Sequence, residues 1–71
     1  MRTRHLRGVL AIEERTSRRP WSRDLFASEL KQVSSRSVVA VRPGAVVVGF
    51  GCLMSTGHEA HVTNLATDPE R

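Results

Sequence analysis

Ten consecutive residues, Ala45 to Met54, carry no charge at all, and they set the terms for the whole chain. Val46, Val48, Phe50, Cys52 and Met54 alternate with Val47, Gly49, Gly51 and Leu53. Read as an extended strand, the run is apolar on both faces, so it needs a covering layer on each side. It is about half the ~20 residues that cross a bilayer, and the uncharged stretch between Arg7 and Glu13 is shorter than a secretory h-region. No membrane partner is expected. The chain has 71 residues and one cysteine, Cys52. That excludes an internal disulfide and with it a stapled secreted scaffold, and leaves a soluble cytoplasmic domain or a fragment of one.

The flanking segments supply the first layer. Thr3 can cap a helix with apolar positions at Leu6, Val9, Leu10 and Ile12, followed by Glu13, Glu14 and Arg15. Gly8 weakens it by about 1 kcal/mol relative to Ala. Thr16 to Pro20 breaks the period. Ser22 then reads as an N-cap with Asp24 in the first turn, and Trp21 and Phe26 have the spacing of a hydrophobic staple. This second helix is predicted from Arg23 to about Gln32, with Phe26, Leu30 and Val33 on one stripe. From Ser37 the period shortens to two. Val38, Val39 and Val41 are β-branched, and Pro43-Gly44 fits the centre of a type II turn. Gly49 and Gly51 leave room for a close helix or a bulge. Gly57 lies in the next turn, Ala60 to Thr67 reads as a third strand, and Asp68-Pro69 ends it.

The expected fold class is therefore α/β in layers: two helices followed by a three-stranded antiparallel meander. Two helices cover only one face of the long strand. Apolar surface is expected on the other face, with an open edge on the third strand, so that a complementing chain or self-association would cover them.

Charge is uneven. Residues 1–36 hold nine Lys/Arg against four acidic residues, whereas residues 37–71 hold two against three. Ten of the eleven basic residues are Arg. A basic half attracts anions, yet a solvated helical face explains it as simply, and nucleic acid is the weaker partner on this reading.

Few constellations point to chemistry. His58, Glu59 and His61 lack the helical spacing of a zinc-protease motif, and Cys52 lies across a turn; polar residues on a hairpin fit better than a metal site. Cys52 stands among apolar neighbours, as a small buried hydrophobe does, without the base that an activated thiol needs. No catalytic residue is assigned. Gly49-Phe50-Gly51 falls within a strand and cannot offer a helix N-terminus to a phosphate. Trp21, in the loop between the helices, reads first as the staple against Phe26, and a wall of a groove for a peptide or small ligand is its compatible functional alternative.

Two segments carry a resemblance. Arg19-Pro20-Trp21-Ser22-Arg23-Asp24-Leu25-Phe26-Ala27-Ser28-Glu29-Leu30 resembles the entry to the second helix of the ribosomal-protein-alanine N-acetyltransferases, a branch of the GNAT superfamily. Glu59-Ala60-His61-Val62-Thr63-Asn64-Leu65-Ala66-Thr67-Asp68-Pro69 is similar to the fourth strand of that family, which ends in an Asn-hydrophobic-Ala-hydrophobic-Asp-Pro pattern. The order of elements agrees as well, apart from a first strand before Thr3.

The resemblance implies acetyl transfer from acetyl-CoA to a protein N-terminal α-amino group, that of a ribosomal-protein alanine. In that fold the fourth strand splays from the fifth, and its unpaired backbone groups hold the pantetheine arm and the thioester carbonyl. By position those groups belong to Leu65, Ala66 and Thr67; Thr67 replaces a more usual Val and adds a hydroxyl. Pro20 and Trp21 would form one wall of the acceptor groove. The family's next elements are a glycine-rich loop for the pyrophosphate and, later, the residues that move protons. None of these has a counterpart in residues 1–71, which reads as a partial acetyltransferase domain cut before the pyrophosphate loop and inactive alone. The alternative from another class is a small basic module that binds RNA or ribosomes.

Overall fold

Leu6, Val9, Ile12 and Glu13 recur on one side of a helix, and burying that side fixes α1 (Leu6–Thr16). The computed structural model describes residues 1–69. Thr3 does not cap α1. A 3₁₀ turn, Thr3–His5, precedes it, and the Arg2 N–H donates to His5 Nδ1 at 2.9 Å. Partial burial first, then the cationic Arg4, N-terminus and Arg2, hold the His5 pKa below its ordinary 6.5. The sign follows from the acceptor role: only the neutral ring accepts the Arg2 N–H. Above about pH 6.5 both states hold the ring neutral and the contribution is complete; it is lost as the pH falls through the depressed value. Acidification is expected to loosen the N-terminal turn while the rest of α1 holds, visible as amide-signal loss for Arg2 and Thr3 between pH 7 and 5. Unchanged signals across that range would refute it.

α2 (Arg23–Lys31) follows the sequence reading closely. Ser22 Oγ accepts from the Leu25 N–H at 3.1 Å, and the Trp21 and Phe26 rings stand 5.1 Å apart, so cap and staple both form. The helix ends at Lys31, before the third position of the expected stripe. Val33 therefore lies outside it and is fully exposed.

Three strands complete the structure: β1 (Ser35–Arg42), β2 (Val46–Ser55) and β3 (Ala60–Thr67), antiparallel in the order β1-β2-β3. The turn after Arg42 uses Gly44 at φ 91°, the value a type II turn demands of its third residue. Ala45 follows at φ 60°, a left-handed position for which the sequence offers no preferred residue.

Two bulges displace the simple alternation. Ala40 pairs with Gly49 but Val41 with Val47, so Val48 is extra on β2. Cys52 pairs with Asn64 but Leu53 with Val62, so Thr63 is extra on β3, where its hydroxyl donates to the Cys52 carbonyl at 3.1 Å. Val47, rather than Val46 and Val48, consequently joins Phe50 and Cys52 on the helix-covered face. There Leu6, Val9, Ile12, Phe26, Phe50 and Cys52 form the core, and Phe26 meets Phe50 edge-on at 5.6 Å.

Among the described residues, none covers the opposite face. Val38, Gly51 and Leu65 run across it in one row, and Val38, Val62 and Leu65 are exposed. Gly49 and Gly51 belong to this face, so no helix packs on them; their neighbours are strand residues, Thr67 and the Ala66 carbonyl beside Gly49, and Leu65 and Val38 beside Gly51.

Gly8 is the helical glycine that packing explains. A Cβ there would stand 2.7 Å from Val47 Cβ. Gly8→Ala is expected to destabilise the fold by roughly 1–3 kcal/mol despite alanine's better helix propensity. A urea midpoint that rises in this variant would contradict the close α1–β2 contact.

Candidate functional site

The open edge of β3 is where the described backbone has groups to offer. The Asp68 N–H donates to the Val48 carbonyl at 2.8 Å, which sets the phase of the ladder. Pairing groups in an antiparallel strand alternate between inward and outward. Opposite Phe50, Ala66 turns its N–H and C=O toward β2, whereas Leu65 and Thr67, opposite Gly51 and Gly49, turn theirs to the open edge. Of the three residues expected there, two present backbone groups outward and the third carries the ladder. Ala66 also packs its methyl against the core, while Leu65 and Thr67 are exposed.

The other expected wall lies in the loop between α1 and α2. Pro20 is exposed and Trp21 half-buried against Phe26. What ties this loop to β3 is Glu13, which the sequence reading left among the solvated charges. Its Oε2 accepts from the Trp21 N–H and from Asn64 Nδ2, each at 2.9 Å. Glu13 is 1% exposed, and its Oε1 is buried without a hydrogen-bond partner. One carboxylate thus sets the loop against the strand. A signal for it existed: Leu6, Val9, Leu10 and Glu13 fall at i, i+3, i+4 and i+7, which puts the acid in phase with the apolar stripe. The end of β3 is fixed separately, by Arg15 at 3.7 Å from the buried Asp68.

The remaining candidates stay apart. His61 Nε2 meets Glu59 Oε2 at 3.0 Å on the exposed hairpin, and no group of three metal-ligating side chains forms among the described residues. Burial pushes the Cys52 thiol pKa up, with nearby Glu29 and Glu13 adding to it and the Ser37 hydroxyl, 3.6 Å from Sγ, opposing it. A buried neutral thiol is a poor nucleophile.

An open strand edge beside a loop-lined wall suits a ligand that runs alongside the strand and pairs with it as a further strand would. Compared with solved structures, the chain is similar to the crystal structure of the ribosomal-protein-S18-alanine N-acetyltransferase from Escherichia coli. The TM-score is 0.82 at 27% identity, over 99% of this chain. The fold is that of the N-terminal part of a GNAT N-acetyltransferase. The chain spans 44% of the length of that relative. No family model matches the sequence, and no curated protein matches it. Among the described residues, no helix is long and apolar enough to cross a membrane.

Proposed function

We propose that these 71 residues form the cofactor-strand half of an N-acetyltransferase, which transfers acetyl from acetyl-CoA to a protein N-terminal α-amino group, a ribosomal-protein alanine in the closest reading of the motifs. The observation that carries the proposal is the one-sided pairing of β3, with Leu65 and Thr67 facing outward. Exposed backbone amides of this kind take a pantetheine arm as they would take a neighbouring strand. Leu65 and Thr67 bind by N–H and C=O, Ala66 keeps the strand in register, and Pro20 and Trp21 line the acceptor side.

The acetyl group itself comes from the cofactor, and the residues described here bind and orient. Glu13 is sealed from solvent and holds the loop; it does not meet the attacking amine. None of the residues described here is assigned to pyrophosphate recognition or to proton removal, and the segment by itself is expected to bind acetyl-CoA weakly and not to turn over. The setting consistent with this is cytoplasmic.

Titration with acetyl-CoA, followed by amide NMR shifts, tests the reading. The expected perturbations fall at Leu65 and Thr67, with smaller shifts at Ala66 and none at the Gly57 turn. Shifts scattered over the arginine-rich helices, or none along β3 at millimolar acetyl-CoA, would dismiss it. The second reading, a basic module for RNA, gains no aromatic platform: Phe26 and Phe50 are buried in the core, and Trp21 leans on Phe26.

A further inference from the structure

We propose that the loop between α1 and α2 selects acceptor chains with acidic residues directly after the reacting N-terminus. This selection rests on the acetyltransferase reading, in which Pro20 and Trp21 line the acceptor side. Residues 17–24 hold three arginines, Arg18, Arg19 and Arg23, against one acid, Asp24. All three arginines are exposed, and among the described residues none of them is in an ion pair. Asp24 lies in the first turn of α2, where the helix dipole already favours it. Glu13, which touches the loop, is buried on the Trp21 N–H and Asn64 and offers the arginines no charge at the surface.

The loop backbone is set before any ligand arrives. The Ser17 N–H donates to the Glu13 carbonyl at 2.9 Å, the Arg19 N–H to Ser17 Oγ at 3.2 Å and the Trp21 N–H to Glu13 Oε2 at 2.9 Å. Ser22 then caps α2. The arginines thus stand before and after Pro20-Trp21 on a fixed base, and binding has only their side chains to order. An arginine fork receives a carboxylate through two parallel hydrogen bonds, so Asp and Glu side chains match it, whereas a lysine-rich or arginine-rich acceptor is repelled. Along the backbone Arg18 and Arg23 are at most about 18 Å apart, the reach of about five residues of extended peptide. An acceptor that runs past Trp21 toward β3 meets the arginines with the residues just behind its amine. The loop's one ring, Trp21, is half-buried against Phe26, a poor platform for a nucleobase.

The test is fluorescence anisotropy with the peptides Ala-Glu-Asp-Glu-Asp, Ala-Gln-Asn-Gln-Asn and Ala-Lys-Arg-Lys-Arg, each labelled at its C-terminus so that the amine stays free. The acidic peptide should bind roughly tenfold more tightly than the neutral one, with affinity falling as salt rises, and the basic one should not bind. Combining Arg19→Gln with Arg23→Gln should bring the acidic peptide to within about twofold of the neutral one, whereas Arg36→Gln, on the uncovered sheet face, should change it by less than about twofold. Removing a cation from the first turn of α2 does not weaken that helix, and circular dichroism checks that each variant stays folded. Amide shifts with the acidic peptide should fall at Trp21, Ser22 and Arg23. Equal binding of the acidic and neutral peptides overturns the proposal. So does an equal loss with Arg36→Gln, which would mean general charge attraction, or tighter binding of a uridine oligonucleotide of matched charge that the same double variant abolishes. Acetyl-CoA shifts at Leu65 and Thr67, measured on the same samples, separate the two failures. Present without an acidic preference, they leave the cofactor edge standing and remove the selection. Absent while the acidic peptide binds, they overturn the acceptor role of the loop together with the acetyltransferase reading.

Discussion

Glu13→Ala is expected to cost about 3 kcal/mol, a large share of what a domain of this size has. The substitution strands two part-buried donors, the Trp21 N–H and Asn64 Nδ2, and opens a void where the buried Glu13 side chain stood. The loop between α1 and α2 should then come away from β3, with faster amide exchange at Trp21 and Asn64 than at the β1–β2 ladder. Glu13→Gln separates charge from geometry. Its carbonyl oxygen still accepts from both donors, and it removes a buried charge whose second oxygen has no partner. Its loss should be about 1 kcal/mol or less. Urea unfolding followed by circular dichroism gives the ordering, wild type close to Gln and both well above Ala. Equal stability of the Ala and Gln variants would mean that the carboxylate ties nothing together.

Proline substitutions in β3 should divide binding from folding. Thr67 sends its N–H to the open edge, so Thr67→Pro removes a donor without breaking the ladder to β2. The variant is expected to fold with little change in midpoint and to lose roughly tenfold in acetyl-CoA affinity. Ala66→Pro, one residue earlier, deletes an inward N–H opposite Phe50 and should cost about 3 kcal/mol. If the two variants were equally destabilised, the phase assigned to the strand would be wrong. If Thr67→Pro left acetyl-CoA shifts unchanged, the cofactor would not use that amide.

Much of the architecture was readable from local chemistry. The α2 cap, its staple and the meander order each rest on residues close in sequence, and each formed where side-chain type and spacing placed it. Face assignments in β2 were not readable. Val46, Val47 and Val48 are equally apolar, so nothing in their sequence marks the residue that a bulge will eject; in the structure Val48 is the extra residue and Val47 lies against Gly8. Val33 failed for a related reason: it continues the α2 stripe in sequence, but the helix ends before reaching it.

The candidate site divides the same way. The strand edge followed from an apolar run with too few layers to cover it and from the motif around Asn64. Glu13 did not, because an acid in a run of charged residues reads as solvated unless its phase on the helix is checked. Its partners are 8 and 51 residues away, a separation no local pattern reports.

Trp21 is the chain's one indole, and it sits at the joint between loop and core, leaning on Phe26 with its backbone held by Glu13. The molecule therefore carries a built-in optical gauge. Its emission colour will register whether that joint is shut, without any label, and will do so separately from the state of the β3 rim.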